Sequence, residues 1–146
     1  MNITPTSSIS FKADLKRLFD KGKLPSVTHG FYGMPLTKEN VSREHLLPRS
    51  LGGKTKESNI VLADKFINWQ RSSQPLTKFA HEKEAVEYLE QFKDISLPDF
   101  NGKTYIKNVA STLNRLGLDI REQARQIIED APSTIKEVGK HLDLKA

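Results

Sequence analysis

An acidic residue and a histidine stand next to each other at Glu44 and His45, and an asparagine follows at Asn68. A neutral imidazole, whose ordinary pKa is about 6.5, can take a proton from water at physiological pH. Carboxylate and amide oxygens are hard donors that suit Mg²⁺ or Mn²⁺. A base, a hard cation and surrounding positive charge would together suffice to hydrolyse a phosphodiester, since water must be deprotonated and negative charge on the phosphoryl oxygens stabilised.

Positive charge is concentrated in the same half of the chain. Residues 1–76 contain 12 Lys and Arg against 6 Asp and Glu, whereas residues 77–146 contain 11 against 12, for a net charge of +5 over 146 residues. A basic half favours a polyanionic partner, with nucleic acid ahead of a membrane surface because no amphipathic stretch is rich in Lys and Arg on one face. Four basic residues flank the polar cluster and are interpreted as phosphate contacts in preference to merely solvated side chains: Arg49, Lys54, Lys56 and Arg71.

Composition excludes several classes of protein. The chain contains no cysteine, so a disulfide framework, a cysteine zinc site, an iron–sulfur cluster and a thiol nucleophile are all excluded. Its length suits one compact domain that needs no disulfides to hold a core. The polar first ten residues do not resemble a signal peptide, and no stretch approaches the roughly 18 apolar residues of a membrane span, so we expect a cytoplasmic protein.

Proline and glycine residues and the spacing of apolar residues predict the elements that must position Glu44, His45 and Asn68. An apolar stripe predicts an amphipathic helix over residues 10–21, followed by an irregular loop over residues 24–36 that is anchored by Phe31 and Tyr32. A short strand is expected over residues 41–47, before Pro48, and a second over residues 60–63, with a glycine-rich loop between them.

Asp64 is interpreted as the N-cap of a helix over residues 65–71, in preference to a third oxygen ligand. On this helix Trp69 is expected in the core rather than as a platform for base stacking. Neighbouring residues of a strand point to opposite faces, so Glu44 and His45 can share a site only at a strand end or a bulge.

The second half of the chain is expected to be helical. Apolar spacing predicts a helix over residues 77–92, a break over residues 97–103, and a helix that ends at Gly117. A capping box at Asp119 and Glu122 opens the next helix, and a last short helix follows Pro132. His81 and His141 are expected to be ordinary surface residues. The chain is therefore divided into residues 1–40, 41–76 and 77–146, packed together as one α+β, mainly helical unit.

The spacing of the polar residues resembles the HNH, or ββα-metal, nuclease motif. Pro48 follows His45 by three residues, a Gly-Gly pair follows at residues 52–53, Asn59 lies 14 residues after His45, and Asn68 lies 9 residues further on. The two longer spacings also match the HNH nuclease domain of the RNA-guided CRISPR effector, which has the same cysteine-free His-Asn-Asn version. The resemblance covers about residues 41–73.

The resemblance implies a ββα-metal core and a role for each residue. His45 would be the general base, Glu44 and Asn68 would hold one Mg²⁺ or Mn²⁺ ion, and Asn59 would brace the loop that carries the histidine. The substrate would be DNA, expected to be double-stranded, cut to leave 5′-phosphate and 3′-hydroxyl ends. Residue 44 is a glutamate where aspartate or histidine is commoner in the family.

Two other classes of function remain open. Glu44, one methylene longer than aspartate, also suits an HNH scaffold without turnover that binds nucleic acid or inhibits a protein. The C-terminal helices are a possible surface for a protein partner. A helix-turn-helix reader over residues 104–130 is disfavoured because a helix that enters a DNA groove should be basic, and this region is nearly balanced in charge.

Overall fold

The computed structural model describes residues 14–130, and these form an α+β fold. Five α-helices and two small antiparallel sheets make up this part of the chain. The elements in chain order are α1 (Leu15–Asp20), β1 (Val41–His45), β2 (Ile60–Asp64), α2 (Lys65–Arg71), α3 (Glu82–Glu90), β3 (Ser96–Leu97), β4 (Phe100–Asn101), α4 (Gly102–Arg115) and α5 (Arg121–Asp130).

Helix α1 begins at an aspartate cap. The Asp14 carboxylate accepts a hydrogen bond from the backbone N–H of Lys16, which satisfies one of the free donors of the first turn. The predicted helix over residues 10–21 agrees with α1 at its C-terminal end, and its first residues lie outside the described part of the chain. The loop that follows is irregular as expected, with Phe31 fully buried in the core.

The central unit is a hairpin followed directly by a helix. Strands β1 and β2 pair antiparallel in continuous register, with His45 opposite Ile60 and Val41 opposite Asp64. Both strands and α2 lie where breakers and apolar runs predicted them, although β1 ends two residues earlier than expected. The Asp64 carboxylate accepts from the backbone N–H groups of Phe66 and Ile67, which confirms its role as the helix cap.

Buried side chains cover the outer edge of β2. The Leu62 N–H donates to the Tyr88 hydroxyl at 2.9 Å, and the Tyr105 hydroxyl donates to the Ile60 carbonyl at 2.8 Å. The Phe31 N–H donates to the Leu62 carbonyl. An unpaired edge strand exposes hydrogen-bonding groups that are costly to bury, and these three contacts satisfy them. Helices α3 and α4 therefore support the hairpin through their tyrosines.

The C-terminal region departs from the predicted boundaries in two places. The helix expected over residues 77–92 begins only at Glu82, because a short 3₁₀ turn at Leu76–Lys78 follows Pro75. The expected break contains the small β3–β4 hairpin, with Leu97 opposite Phe100. The last predicted helix, and His141 with it, lies outside the described residues, and His81 is exposed as expected.

One cluster of buried hydrophobic side chains joins the segment before β1, the hairpin and the C-terminal helices. Its aromatic centre contains Phe31, Tyr88, Phe92 and Tyr105, whose rings meet mainly edge to face at 4.8–6.5 Å. Within residues 14–130, no helix is long and apolar enough to cross a membrane.

A cationic cleft at the end of the first strand

His45 lies at the C-terminal end of β1 and is half-buried. Its Nε2 atom lies 2.8 Å from the Thr55 hydroxyl. Partial burial lowers the pKa of His45 below its ordinary value of 6.5, and the nearby positive charges of Arg49 and Arg43 lower it further. The imidazole is therefore held in its neutral form, the form that can accept a proton from water.

The histidine opens onto a cleft of about 510 Å³. The side chains that line this cleft are those of Asp14, Lys16, Ser42, Arg43, His45, Arg49 and Thr55. Three of them are cationic and one is anionic, so the cleft carries an excess of positive charge. It forms because Arg43 and His45 are two residues apart on a strand and therefore project from the same face.

The single carboxylate in the cleft pairs with one of the cations. Arg43 Nε donates to both oxygens of Asp14, at 3.1 and 3.2 Å, and the Arg43 guanidinium holds the pKa of Asp14 below its ordinary value. Lys16 pairs with Asp20, and both side chains remain about one-third exposed. Exposed ion pairs of this kind contribute little to stability, so the cations can exchange these partners for a phosphate.

Glu44 faces away from the cleft, into the interior, where the residue is only 3% exposed. Its Oε2 atom accepts from the Tyr32 hydroxyl at 2.6 Å and from Arg71 Nη1 at 3.2 Å. Burial raises the pKa of Glu44, although the hydrogen bond from Tyr32 and the charge of Arg71 oppose that rise. The sequence placed the Glu44–His45 pair at a strand end, which the structure confirms, yet the two side chains lie on opposite faces of regular strand.

Arg71 lies in the interior, contrary to its predicted position. It was expected to contact phosphate at the surface, but the residue is 1% exposed. Its guanidinium donates to the carbonyls of His45 and Leu46 at 3.0 and 2.8 Å, and to the Gln74 carbonyl at 2.9 Å. Together with the bond to Glu44, these contacts fasten α2 to the end of β1. Arg71 is therefore a positioning residue for the strand end that carries His45.

Asn59 braces the loop between the two strands. Its Oδ1 accepts from the Leu47 N–H at 2.8 Å, while Nδ2 donates to the carbonyls of Leu47 and Lys54 at 3.1 and 3.0 Å. An amide is suited to this position because it offers donors and an acceptor together. The expected bracing contacts of Asn59 are thus present in the structure.

The two glycines of this loop each meet a steric requirement. Gly52 has a φ of +97°, a left-handed conformation that L side chains rarely adopt. A Cβ on Gly53 would lie 1.7 Å from the Leu47 carbonyl oxygen, so only glycine fits beside the braced backbone. The loop that carries Arg49 and Thr55 is therefore held in one conformation by Asn59 and these glycines.

Asn68 extends from α2 to the backbone of β1. Its Nδ2 atom donates to the Arg43 carbonyl at 2.9 Å and to the Ser42 hydroxyl at 3.0 Å. Because a carbonyl can only accept, this contact fixes which end of the amide is nitrogen. Among the described residues, Oδ1 of Asn68 receives no hydrogen bond.

The oxygens of Glu44 and Asn68 are of the kind that binds a hard divalent cation, but their positions suit such a cation only in part. Asn68 offers a neutral amide oxygen, which suits Mg²⁺ or Mn²⁺. Glu44 offers a carboxylate whose charge is already neutralised by the Arg71 guanidinium. Within residues 14–130, no three His, Cys, Asp or Glu side chains come together as a metal-binding group.

The remaining predicted phosphate contacts lie at the surface. Arg49, Lys54 and Lys56 are exposed, and Arg49 lines the cleft directly. Trp69 was expected in the core, and that expectation was wrong, because 79% of the residue is exposed.

Sequence reasoning missed the cleft residues Lys16, Ser42, Arg43 and Thr55. The strand period of two could have found Arg43, which shares a face with His45. No comparable signal in the sequence places Lys16 there, since it comes from α1.

Compared with known protein families, curated proteins and solved structures, the chain shows no match.

Proposed function

We propose that this chain is a metal-dependent endonuclease of the HNH type that hydrolyses phosphodiester bonds in nucleic acid, with DNA as the expected substrate. The observation that supports this proposal most strongly is the position of the half-buried His45 in a cleft lined by Lys16, Arg43 and Arg49, whose surroundings lower the pKa of the imidazole. The order β1–β2–α2, together with the His-Asn-Asn spacing, adds support from the motif.

Each residue of the cleft has a role in this proposal. The cations Lys16, Arg43 and Arg49 bind the phosphate and stabilise the negative charge that develops on its oxygens. His45 takes a proton from the attacking water through the imidazole that borders the cleft. Thr55, 2.8 Å from Nε2, orients the ring until a water or substrate atom takes its place.

Glu44 and Asn68 are proposed to hold one Mg²⁺ or Mn²⁺ ion, with Asn68 contributing Oδ1. A bound ion would supply positive charge to the phosphoryl and leaving oxygens, and for this Glu44 would have to leave its buried bond to Arg71 and turn toward the cleft. Asn59 and Arg71 contribute indirectly, because they hold the loop and the strand end between which the cleft opens. The products expected from the motif carry 5′-phosphate and 3′-hydroxyl ends.

The test is conversion of supercoiled plasmid to relaxed or linear forms. Mg²⁺ or Mn²⁺ is titrated into protein plus plasmid, and EDTA is added to a parallel series. The proposal expects nicking that rises with metal and is abolished by EDTA. Nicking that is insensitive to EDTA would contradict the metal requirement, and absence of nicking at every metal concentration would contradict the enzyme.

One observation favours a second candidate function. The Glu44 carboxylate is committed to Arg71 and Tyr32, and a cation at Glu44 would have to share it with a buried guanidinium. We therefore propose, as the alternative, a non-catalytic HNH scaffold that binds nucleic acid through the same cleft. Plasmid retarded on a gel without any nicking would support this alternative.

The helix-turn-helix alternative receives less support. The arginines of α5 pair with neighbouring acids, Arg121 with Asp119 and Arg125 with Glu122 and Glu129. A helix that enters a DNA groove presents unpaired positive charge to the phosphates.

A further inference from the structure

Helix α2 exposes two large aromatic side chains, Phe66 and Trp69, which we call the aromatic face. They are 63% and 79% exposed. Residues three apart on a helix are neighbours on one side, so the two rings form a single surface. The opposite side of the same helix contains the buried Arg71. Exposure of large aromatic rings to water is unfavourable, and an exposed apolar patch of this kind marks a binding surface.

The surroundings of the aromatic face are cationic. Helix α2 contains no acidic residue, and Lys65 Nζ lies 5.7 Å from the centre of the Phe66 ring. The loop over residues 49–56 contains three cations and no acid. A 2.7 Å hydrogen bond between the hydroxyls of Ser50 and Ser73 ties this loop to the segment that follows α2.

The helix that carries the aromatic face also contacts the strand that borders the cleft. Asn68, which lies between Phe66 and Trp69 in the sequence, donates to the Arg43 carbonyl, and the Arg43 side chain lines the cleft. A polynucleotide whose backbone occupied the cleft would therefore pass close to α2. Exposed aromatic rings beside a cationic groove are the combination with which proteins bind single strands, because each base offers a flat face for stacking.

We propose that Phe66 and Trp69 stack against unpaired bases, so that the substrate is single-stranded or locally unpaired nucleic acid whose backbone lies in the cleft. The proposal deepens the nuclease assignment and rests on the cleft being its binding site. Bases inside a regular duplex are already stacked on one another and cannot reach the rings. A protein partner fits less well, because a stable interface buries about 800 Å² per partner and its core is depleted of charge, whereas this surface consists of two rings with Lys65 beside one of them.

Trp69 makes the proposal directly measurable, because it is the only tryptophan in the chain. Intrinsic tryptophan fluorescence therefore reports on this one side chain. The protein is titrated in EDTA, which prevents metal-dependent cleavage, with oligothymidylate or with a duplex of matched length. We expect saturable quenching by oligothymidylate and much weaker quenching by the duplex.

Affinity is measured separately, by the anisotropy of fluorescein-labelled oligothymidylate. The double variant F66A/W69A is expected to bind at least about 5-fold more weakly, since stacking contributes about 1–3 kcal/mol per base and two rings are removed. W69F keeps a ring and should retain most of the affinity while losing the fluorescence signal. M34A is the matched control, because Met34 is an exposed apolar residue outside α2, and it should bind as the unmodified chain does.

Three results would overturn the proposal. The first is unchanged affinity in F66A/W69A, and the second is equal quenching by single strand and duplex. The third is a concentration-dependent shift of the emission maximum without nucleic acid, which would identify a second copy of the chain as the occupant. Because binding is measured without metal, plasmid nicking can fail while quenching persists, which would remove the enzyme and leave the stacking surface. Nicking without quenching would support the enzyme and rule out the stacking surface.

Discussion

The two faces of strand β1 both carry charged side chains, but one face is buried and the other borders solvent. On the inner face, Glu44 is buried and joined to Arg71 and Tyr32. On the outer face, Arg43 and His45 border an open cleft, and the carboxylate that Arg43 meets there is the half-exposed Asp14. One residue of separation along the strand decides which environment a side chain enters.

The comparison shows that burial, rather than residue type, determines what each charge can do. An arginine with all its contacts inside the protein, as Arg71 has, fixes backbone geometry and cannot meet a substrate. An arginine in water, as Arg43 is, contributes little to stability and remains available to bind a phosphate. The inner face thus positions the outer one, since Arg71 donates to the carbonyl of His45.

The largest effect is expected from R71M, which breaks the inner face. Removing one partner of a buried ion pair leaves the other uncompensated and costs about 3–5 kcal/mol of unfolding free energy. Urea denaturation followed by circular dichroism measures the loss. Burial raises the pKa of Glu44 above its ordinary value of 4.5, and R71M removes a charge that opposes that rise. Because protonated Glu44 needs no counterion, the deficit should shrink as the pH falls toward 4.5 and grow as the pH rises above it.

The matched control is R43M on the outer face. It should cost less than about 1 kcal/mol, because its ion pair with Asp14 is exposed. The double variant E44Q/R71M should recover part of the stability lost in R71M, since it removes the uncompensated charge. Equal losses for R71M and R43M would show that the two faces of β1 do not differ in the way described.

A smaller effect is expected from N59A, which loosens the loop that frames the outer face. Loss of the Asn59 side chain leaves the Leu47 N–H without its partner and should cost about 1–3 kcal/mol. Plasmid nicking should fall as well, because the loop carries Arg49 and Thr55. N108A, an exposed asparagine of α4, should change stability by less than about 0.5 kcal/mol. An N59A protein as stable as N108A would show that Asn59 does not brace the loop between β1 and β2.

The smallest effect is expected from D14N, which removes the only carboxylate within residues 14–130 that lines the cleft on the outer face. Asparagine can still cap α1, so the fold should be preserved. The Arg43 guanidinium loses its carboxylate and becomes free to pair with a phosphate. Oligonucleotide affinity, measured by anisotropy against salt concentration, should rise, and the slope of log affinity against log salt should steepen by up to about one charge. Weaker binding by D14N would indicate that Asp14 itself contacts the ligand.

The hairpin and α2 could be predicted from the sequence because their signals are local. Pro48, the two glycines and the Asp64 cap each act within a few residues of where they stand. The bracing contacts of Asn59 followed from the resemblance of the motif.

The two errors on α2 have one physical origin. The sequence predicts a phosphate contact at the surface for Arg71, which flanks the motif, and a core position for Trp69. Arg71 is buried because Glu44, 27 residues earlier, supplies its counter-charge, a contact that no local pattern reveals. With Arg71 inside, helical geometry turns Trp69 outward, since residues two apart lie about 200° apart around the helix axis.

The central claim is that His45 acts as the base on the outer face. The most direct measurement compares H45A with the unmodified chain, on the same supercoiled plasmid with the same metal, while binding to that plasmid is followed by gel shift. H45A is expected to bind almost normally and to produce no nicked plasmid. Cleavage by H45A at the rate of the unmodified chain would contradict the claim that His45 is the base.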